Sequence, residues 1–404
     1  NEGYFEELIR KYLLENPHGC IMTLVPKKGL AAQREKELEE KLEAYRSSLS
    51  EEQLDAMVEK TKALEAYQEA GEDPKALECI PMLKRSDIKR EAAKIINEEL
   101  TVDDSLFLYH DVCTNGIGYV DLMFKTDSIA PEQIPYLGLL KSVLGYVDTE
   151  NYTYGELFNE INANTGGINC GVEVFDRADS TEEFQAMFSV RGKALYTKMD
   201  FLFKMIGEIL NSSKLEDTKR LYEIVASVKS RAQVNLTGAG HSTAVLRAAA
   251  YSSPMAAFQD EMAGIGYYQF IEKLEKDFEQ RKEETVEELC KLMKKILRPE
   301  NFMISYTGER ESLETVQKLA GTVKAGLGTE PVEKSKEKLT CTKKNEGFKT
   351  SGQVQYVAQT GNFKKKGLEY TGALEILKVI LSYDYLWMNL RVKGGAYGCM
   401  SGFK

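Results

Sequence analysis

Arg391 and Tyr397 stand six residues apart around a glycine pair, in the string Arg391-Val392-Lys393-Gly394-Gly395-Ala396-Tyr397-Gly398. A guanidinium carries fixed charge and forked N–H donors, and a phenol donates one directed hydrogen bond. Together they can hold an oxygen that gains negative charge during a reaction. Gly394 and Gly395 let the backbone turn tightly between a helix and a strand. Residue types and spacing alone also fit a plainer account, in which Arg391 closes a helix C-terminus and Tyr397 is an ordinary strand aromatic.

Other chemistry finds few residues to work with. The three histidines, His18, His110 and His241, include no two at the spacing of an H-x-x-E-H zinc motif. His241 beside Ser242 has no identifiable orienting acid and reads as a loop histidine. Gly238-Ala239-Gly240-His241 lacks the Lys-Ser/Thr tail of a phosphate loop, and Gly264-Ile265-Gly266 does not open a helix after a strand. Seven widely spaced cysteines without a CxxC pair indicate free thiols in a reducing compartment. Sequons at Asn151, Asn211 and Asn235 read as chance matches.

Positioning such residues requires a sizeable body. With 404 residues, 43% of them hydrophobic, the chain should divide into two or more domains. A formal charge of −10, with lysines spread among glutamates, argues against nucleic acid or anionic membrane as a partner. No run approaches the roughly 20 apolar residues of a membrane span. The amino terminus is acidic, lacks an apolar signal region and does not begin with methionine, so a fragment or processed chain is expected. Cytoplasm is the expected compartment, with an organelle matrix as the alternative.

Along the chain, a short helix and a turn at Asn16-Pro17-His18-Gly19 precede a strand-like run, Cys20–Pro26. From Ala31 to Ala70, Leu38, Leu42, Tyr45 and Leu49 form one helical stripe, and Leu54, Met57, Leu64 and Tyr67 form another. Ser50 and Gln53 between them fit a capping box, and Gly71 suits the second helix end. A helical hairpin with one narrow apolar seam is expected, suited to a connector. Strands follow at Leu106–Tyr109 and Gly118–Phe124 around Asn115-Gly116, then helices at Ile134–Leu144 and Tyr154–Ala163. After Gly166-Gly167 come strands at Gly171–Phe175 and Ala186–Val190, long helices within Lys193–Leu297, a strand at Asn301–Tyr306 and a closing helix. Thr329–Glu346 reads as an exposed linker. Beyond it lie a strand at Val354–Thr360, helices at Thr371–Ser382 and Tyr385–Leu390, and a second diglycine leading into a last strand. This order of elements therefore starts twice, and the second copy stops early, so the last domain is expected to be truncated.

At Trp387-Met388-Asn389-Leu390-Arg391-Val392-Lys393-Gly394-Gly395-Ala396-Tyr397-Gly398 the chain resembles the fourth-domain signature of the presequence proteases, a branch of the insulinase-like peptidases. The helical hairpin, the NPHG-strand before it and Ile80-Pro81-Met82-Leu83-Lys84 resemble that family's inter-half connector. The resemblance covers essentially the whole chain. It implies an α+β fold, with a connector followed by insulinase-type α/β domains. The divisions are 1–96 for the end of a first half plus connector, 97–330 for a third domain, and 347–404 for the truncated start of a fourth. It also implies two halves clamped around a closed chamber, with zinc held in a first domain by H-x-x-E-H. The helix here that resembles the zinc-bearing one carries Tyr136, Leu139 and Leu140 where His, Glu and His are required. An aromatic and two leucines cannot hold zinc, so no metal is expected in this chain and the zinc belongs to an absent amino-terminal half.

In the family, an arginine and a tyrosine six residues apart reach from the last domain into the zinc site. Arg391 and Tyr397 would then contact the substrate backbone and the developing oxyanion, with Gly394, Gly395 and Ala396 beside the substrate. The resemblance thus implies the non-catalytic half of a zinc endopeptidase that degrades short unfolded peptides. Its partners are peptides and the catalytic half of the same polypeptide, without nucleic acid or membrane. The alternative is a catalytically silent scaffold or subunit of a processing complex, which has no use for a transition-state donor. A coiled-coil adaptor on residues 31–70 fails, because the seam is too short.

Overall fold

The computed structural model describes residues 3–403 except 178, 334, 336, 338 and 351. The chain divides into two compact units, Asn1–Ala93 and Lys94–Lys404.

The first unit is helical: α1 (Tyr4–Ile9) runs on through a π turn, followed by α2 (Leu30–Ser48), α3 (Glu51–Glu69) and the short α4 (Pro74–Leu77). Good helix formers fill α2 and α3, and their ends are capped rather than packed. The Ser50 hydroxyl accepts from the Gln53 N–H at 3.2 Å, and the Gln53 side chain accepts from the Ser50 N–H at 2.9 Å, which completes the expected capping box. Neither helix buries a residue, and Leu38, Leu42 and Tyr45 remain more than half exposed, so the apolar seam stays open within this unit. Cys20–Pro26 forms no strand, and Ile21 is 98% exposed. An extended segment needs a neighbour for its N–H and C=O groups, and among the described residues none pairs with it.

The second unit is built on a six-stranded sheet: β1 (Glu98–Val102), β2 (Ser105–Asp111), β3 (Ile117–Lys125), β4 (Ile168–Asp176), β5 (Phe184–Leu195) and β6 (Phe302–Gly308). Its order is β1-β2-β6-β3-β5-β4, with β2 and β6 parallel and every other pair antiparallel. The strands on either side of Asn115-Gly116 therefore do not form a hairpin, because β6 lies between them. The turn there is still a tight one, with φ of 53° at Asn115 and 79° at Gly116. Glu309, just past β6, pins it by accepting from the N–H groups of Thr114 and Asn115 at 2.9 and 3.1 Å. The short β1 carries no clear alternation and is absent from the sequence reading.

The helices are α5 (Ile134–Val143), α6 (Tyr154–Asn164), α7 (Met199–Ser212), α8 (Thr218–Gly238), α9 (Gly240–Ala250), α10 (Pro254–Ala263), α11 (Ile265–Lys276), α12 (Phe278–Ile296) and α13 (Leu313–Ala325). Alternate strand residues such as Phe107, Tyr109, Leu122, Phe124, Phe188, Val190, Ile304 and Tyr306 are buried in one core with Leu137, Leu140, Leu202, Ile206, Leu289 and Leu292 from the helices. On the opposite sheet face Leu106, Tyr119 and Leu195 are exposed. One buried and one open face explain the alternating sequence pattern of an antiparallel sheet.

After α13 regular structure gives out. Residues 329–333 and the described residues up to 363 contain no helix or strand, so Val354–Thr360 is not the expected strand. The chain becomes helical again at α14 (Ala373–Ile380), which passes without a break into a π-helix over Leu381–Lys393. The two expected helices are therefore one. The segment after Gly395 is not a strand either, because among the described residues no strand lies beside it to share a ladder.

Candidate functional site

The π-helix ends on the two glycines, each for its own steric reason. A side chain at Gly394 would place its Cβ 2.7 Å from the Leu390 carbonyl oxygen, and Gly395 has a left-handed φ of 71°. The reversal is closed by N–H donors of Gly395 and Ala396 to the carbonyls of Arg391 and Leu390, at 3.1 and 2.9 Å. This resembles a Schellman ending widened by one residue, as the wider π coil requires.

That closure brings Arg391 and Tyr397 together. The Arg391 guanidinium lies 4.3 Å from the centre of the Trp387 ring and donates from Nη1 to the Tyr397 carbonyl at 2.5 Å. The cation is thus oriented by its own helix and by the loop, and it has no acidic partner among the described residues. Tyr397 is 91% exposed, with its phenol open to solvent. The site therefore presents a fixed cation and a free O–H donor on one protruding loop, a pair suited to an extended backbone or an anionic oxygen. Gly394, Gly395 and Ala396 form the turn between them.

The α5 helix is arranged in the opposite way. Leu139 is fully buried and Leu140 is 1% exposed. The Tyr136 hydroxyl accepts from Arg281 at 2.8 Å and donates to Glu284 at 3.2 Å. Burial raises the Tyr136 pKa, the Arg281 charge opposes this, and Glu284 adds to it. All three side chains are spent on packing or on neighbours within the fold. Among the described residues no group of three or more His, Cys, Asp or Glu side chains could hold a metal ion.

His241 sits in the first turn of α9 rather than in a loop, with its ring 6.3 Å from that of Tyr356. Gly264-Ile265-Gly266 joins α10 to α11, where the N–H groups of Ile265 and Gly266 donate to Asp260 at 3.0 and 3.2 Å.

One cluster has no counterpart in the sequence reading. Arg247 on α9, 9% exposed, donates to Asp260 and to Glu346, each at 2.5 Å. Tyr251 donates to the same Glu346 oxygen at 2.6 Å. The Arg247 hydrogen bond holds the Glu346 pKa below its usual value, against the effect of burial. The sequence does carry a signal, since Arg247 stands alone in the apolar run Ala244-Val245-Leu246-Arg247-Ala248-Ala249-Ala250. A lone charge on such a face needs a partner, yet nothing local points to Glu346, 99 residues away.

Known proteins extend this picture. The family model described as peptidase M16 subfamily C associated matches residues 24–274. Protein HypA of Clostridium perfringens is 37% identical over 402 residues, covering 100% of this chain and 41% of that protein. Presequence protease 1, chloroplastic/mitochondrial, of Arabidopsis thaliana is 28% identical over 407 residues, covering 100% of this chain and 37% of that protein. The mitochondrial presequence protease of Yarrowia lipolytica is 27% identical over 403 residues, covering 98% and 40% respectively. The chain thus spans about two fifths of the length of the curated relatives it matches.

Proposed function

This chain belongs to the family associated with subfamily C of the M16 peptidases, and from that premise we infer that it is the metal-free, carboxy-terminal half of a presequence-protease-like zinc endopeptidase. Zinc would be held by H-x-x-E-H residues of an amino-terminal half in the same polypeptide, where it would supply a Lewis acid and an activated water. This half contributes what its own residues can do. Arg391 binds and orients the substrate backbone, and Tyr397 donates to the oxygen that gains charge. Gly394, Gly395 and Ala396 keep the loop slim enough for a peptide to pass. The divisions 1–96, 97–330 and 347–404 belong to the same reading, with the first acting as the connector between halves that close on a short unfolded peptide.

The observation that carries this reading is the Arg391–Tyr397 loop. A fixed cation without an acidic partner among the described residues and an open phenol are brought within one turn of each other. A scaffold gains nothing from such donors. The partners that fit are the catalytic half and peptides. No described helix is long and apolar enough to cross a membrane. A reducing compartment, cytoplasm or organelle matrix, fits seven cysteines that are all free.

The test is cleavage of a quenched-fluorescent peptide by this chain and by the H-x-x-E-H half, separately and mixed, with zinc present. Activity in the mixture alone is expected. Activity from this chain alone would overturn its assignment as the metal-free half.

A further inference from the structure

We propose that the surface formed by α9 and α10 is the seat that positions the Arg391–Tyr397 loop, with Arg247 and Gly240 as its positioning residues. This inference rests on the reading of that loop given above.

The strap from residue 339 to 363 has no helix or strand among its described residues, so side chains must fix its course. Three of them do so at intervals of about ten residues. Glu346 accepts from Arg247 and Tyr251. Tyr356 lies over Gly240, where a Cβ would come within 2.4 Å of the ring. Lys365 donates to the Ser252 carbonyl at 3.0 Å and pairs with Glu182 at 2.6 Å.

The two faces of Arg247 serve different purposes. Through Nη1 it neutralises Asp260, whose oxygens also accept from the first N–H groups of α11. That contact belongs to the helical layer whether or not a strap is present. Its Nε–H faces Glu346, and the Phe348 ring lies 5.8 Å from the guanidinium. Gly240 adds a steric element, because the missing side chain is the space that the Tyr356 ring occupies.

Beyond the strap the loop is held from its far end as well. Phe403 packs edge-on against Phe363 with ring centres 6.4 Å apart, and Ser401 bonds Ser382 at 2.9 Å. Movement of the strap therefore moves both ends of the segment carrying Arg391 and Tyr397. Misplacing a transition-state donor by about 1 Å can cost on the order of 10²-fold in rate.

The experiment uses the intact protein with Glu346→Gln and Gly240→Ala. Both leave the Arg247–Asp260 pair in place, and alanine is a good helix former at the start of α9. Deuterium exchange is followed in 339–350 and 352–363, and kcat and KM are measured on a quenched-fluorescent peptide. In both variants strap exchange should rise at least about tenfold while β3 and β6 keep their protection. Turnover should fall about tenfold or more, with KM changing less than about threefold, as for an interaction made in the transition state. Unchanged strap exchange in both variants overturns the seat. Raised exchange with full turnover overturns the positioning role when Tyr397→Phe has cost turnover in the same assay. A fully active Tyr397→Phe would instead overturn the catalytic reading of the loop, and the exchange result would still decide the seat.

Discussion

The α5 helix and the loop after Leu381–Lys393 each hold residues that family resemblance associates with catalysis, and the fold treats them in opposite ways. On α5 every relevant group is used up. Leu139 is fully buried, Leu140 is 1% exposed, and the Tyr136 hydroxyl both accepts and donates within the fold. On the loop the fold supplies orientation but leaves the donors available, with Arg391 braced by Trp387 and Tyr397 exposed. The difference suggests a criterion for a degenerate repeat: a position that has lost its chemistry becomes core, while one that keeps it stays oriented and unsatisfied.

Stability and rate should separate accordingly. Leu139→Ala removes a fully buried side chain and should cost about 2–5 kcal/mol, read as a shifted urea midpoint, with activity per folded molecule retained. A loss of turnover at constant folded fraction would give α5 a role beyond shape and break the comparison. On the loop, Tyr397→Phe should leave the urea midpoint within about 0.5 kcal/mol and lower turnover of the complete enzyme about 10²-fold. An unchanged rate would remove Tyr397 from the chemistry.

The glycines test whether the loop is oriented or merely exposed. Gly395→Ala places a Cβ on a φ of 71°, at a cost of about 1–2 kcal/mol that the loop can relieve only by opening. Because this segment buries no residue, the strain should appear as faster local exchange and reduced kcat, with little change in the global midpoint. Turnover equal to wild type would mean that the turn between Arg391 and Tyr397 does not set their geometry.

Much of this organisation is legible in the sequence. Periodicity locates α5, α6, β3 and β6 to within a few residues, and Ser50 with Gln53 marks the start of α3. What fails depends on partners. Cys20–Pro26 and Val354–Thr360 have the composition of strands, but pairing is a property of two segments, and neither finds a second. Asn115-Gly116 signals a turn correctly, yet it cannot reveal that β6, nearly 190 residues later, lies between the strands it joins. Arg391 and Tyr397 are visible as a spaced pair. Arg247, Asp260 and Glu346 are not, because only the fold brings 247 and 346 together.

The smallest effect expected is one of pH, and it bears on the strap that links the two regions. Hydrogen bonding from Arg247, opposed by burial and helped by Tyr251, lowers the Glu346 pKa below its ordinary value of 4.5. Lys344 adds a further favourable charge, while Asp260 shares the same guanidinium. A carboxylate with a depressed folded pKa contributes its full stabilisation above the unfolded value and loses it as pH falls through the folded one. Strap contacts should therefore be constant above about pH 4.5 and weaken below it, by about 1 kcal/mol after allowing for the partial exposure of Glu346. The measurement is limited proteolysis of residues 339–363 between pH 3 and 7, under conditions where the sheet stays folded. Glu346→Gln should be more readily cut at neutral pH and should lose the acid-dependent step. A step of equal size in Glu346→Gln would assign the transition to another carboxylate, and the strap would then depend on its Tyr356 and Lys365 contacts alone.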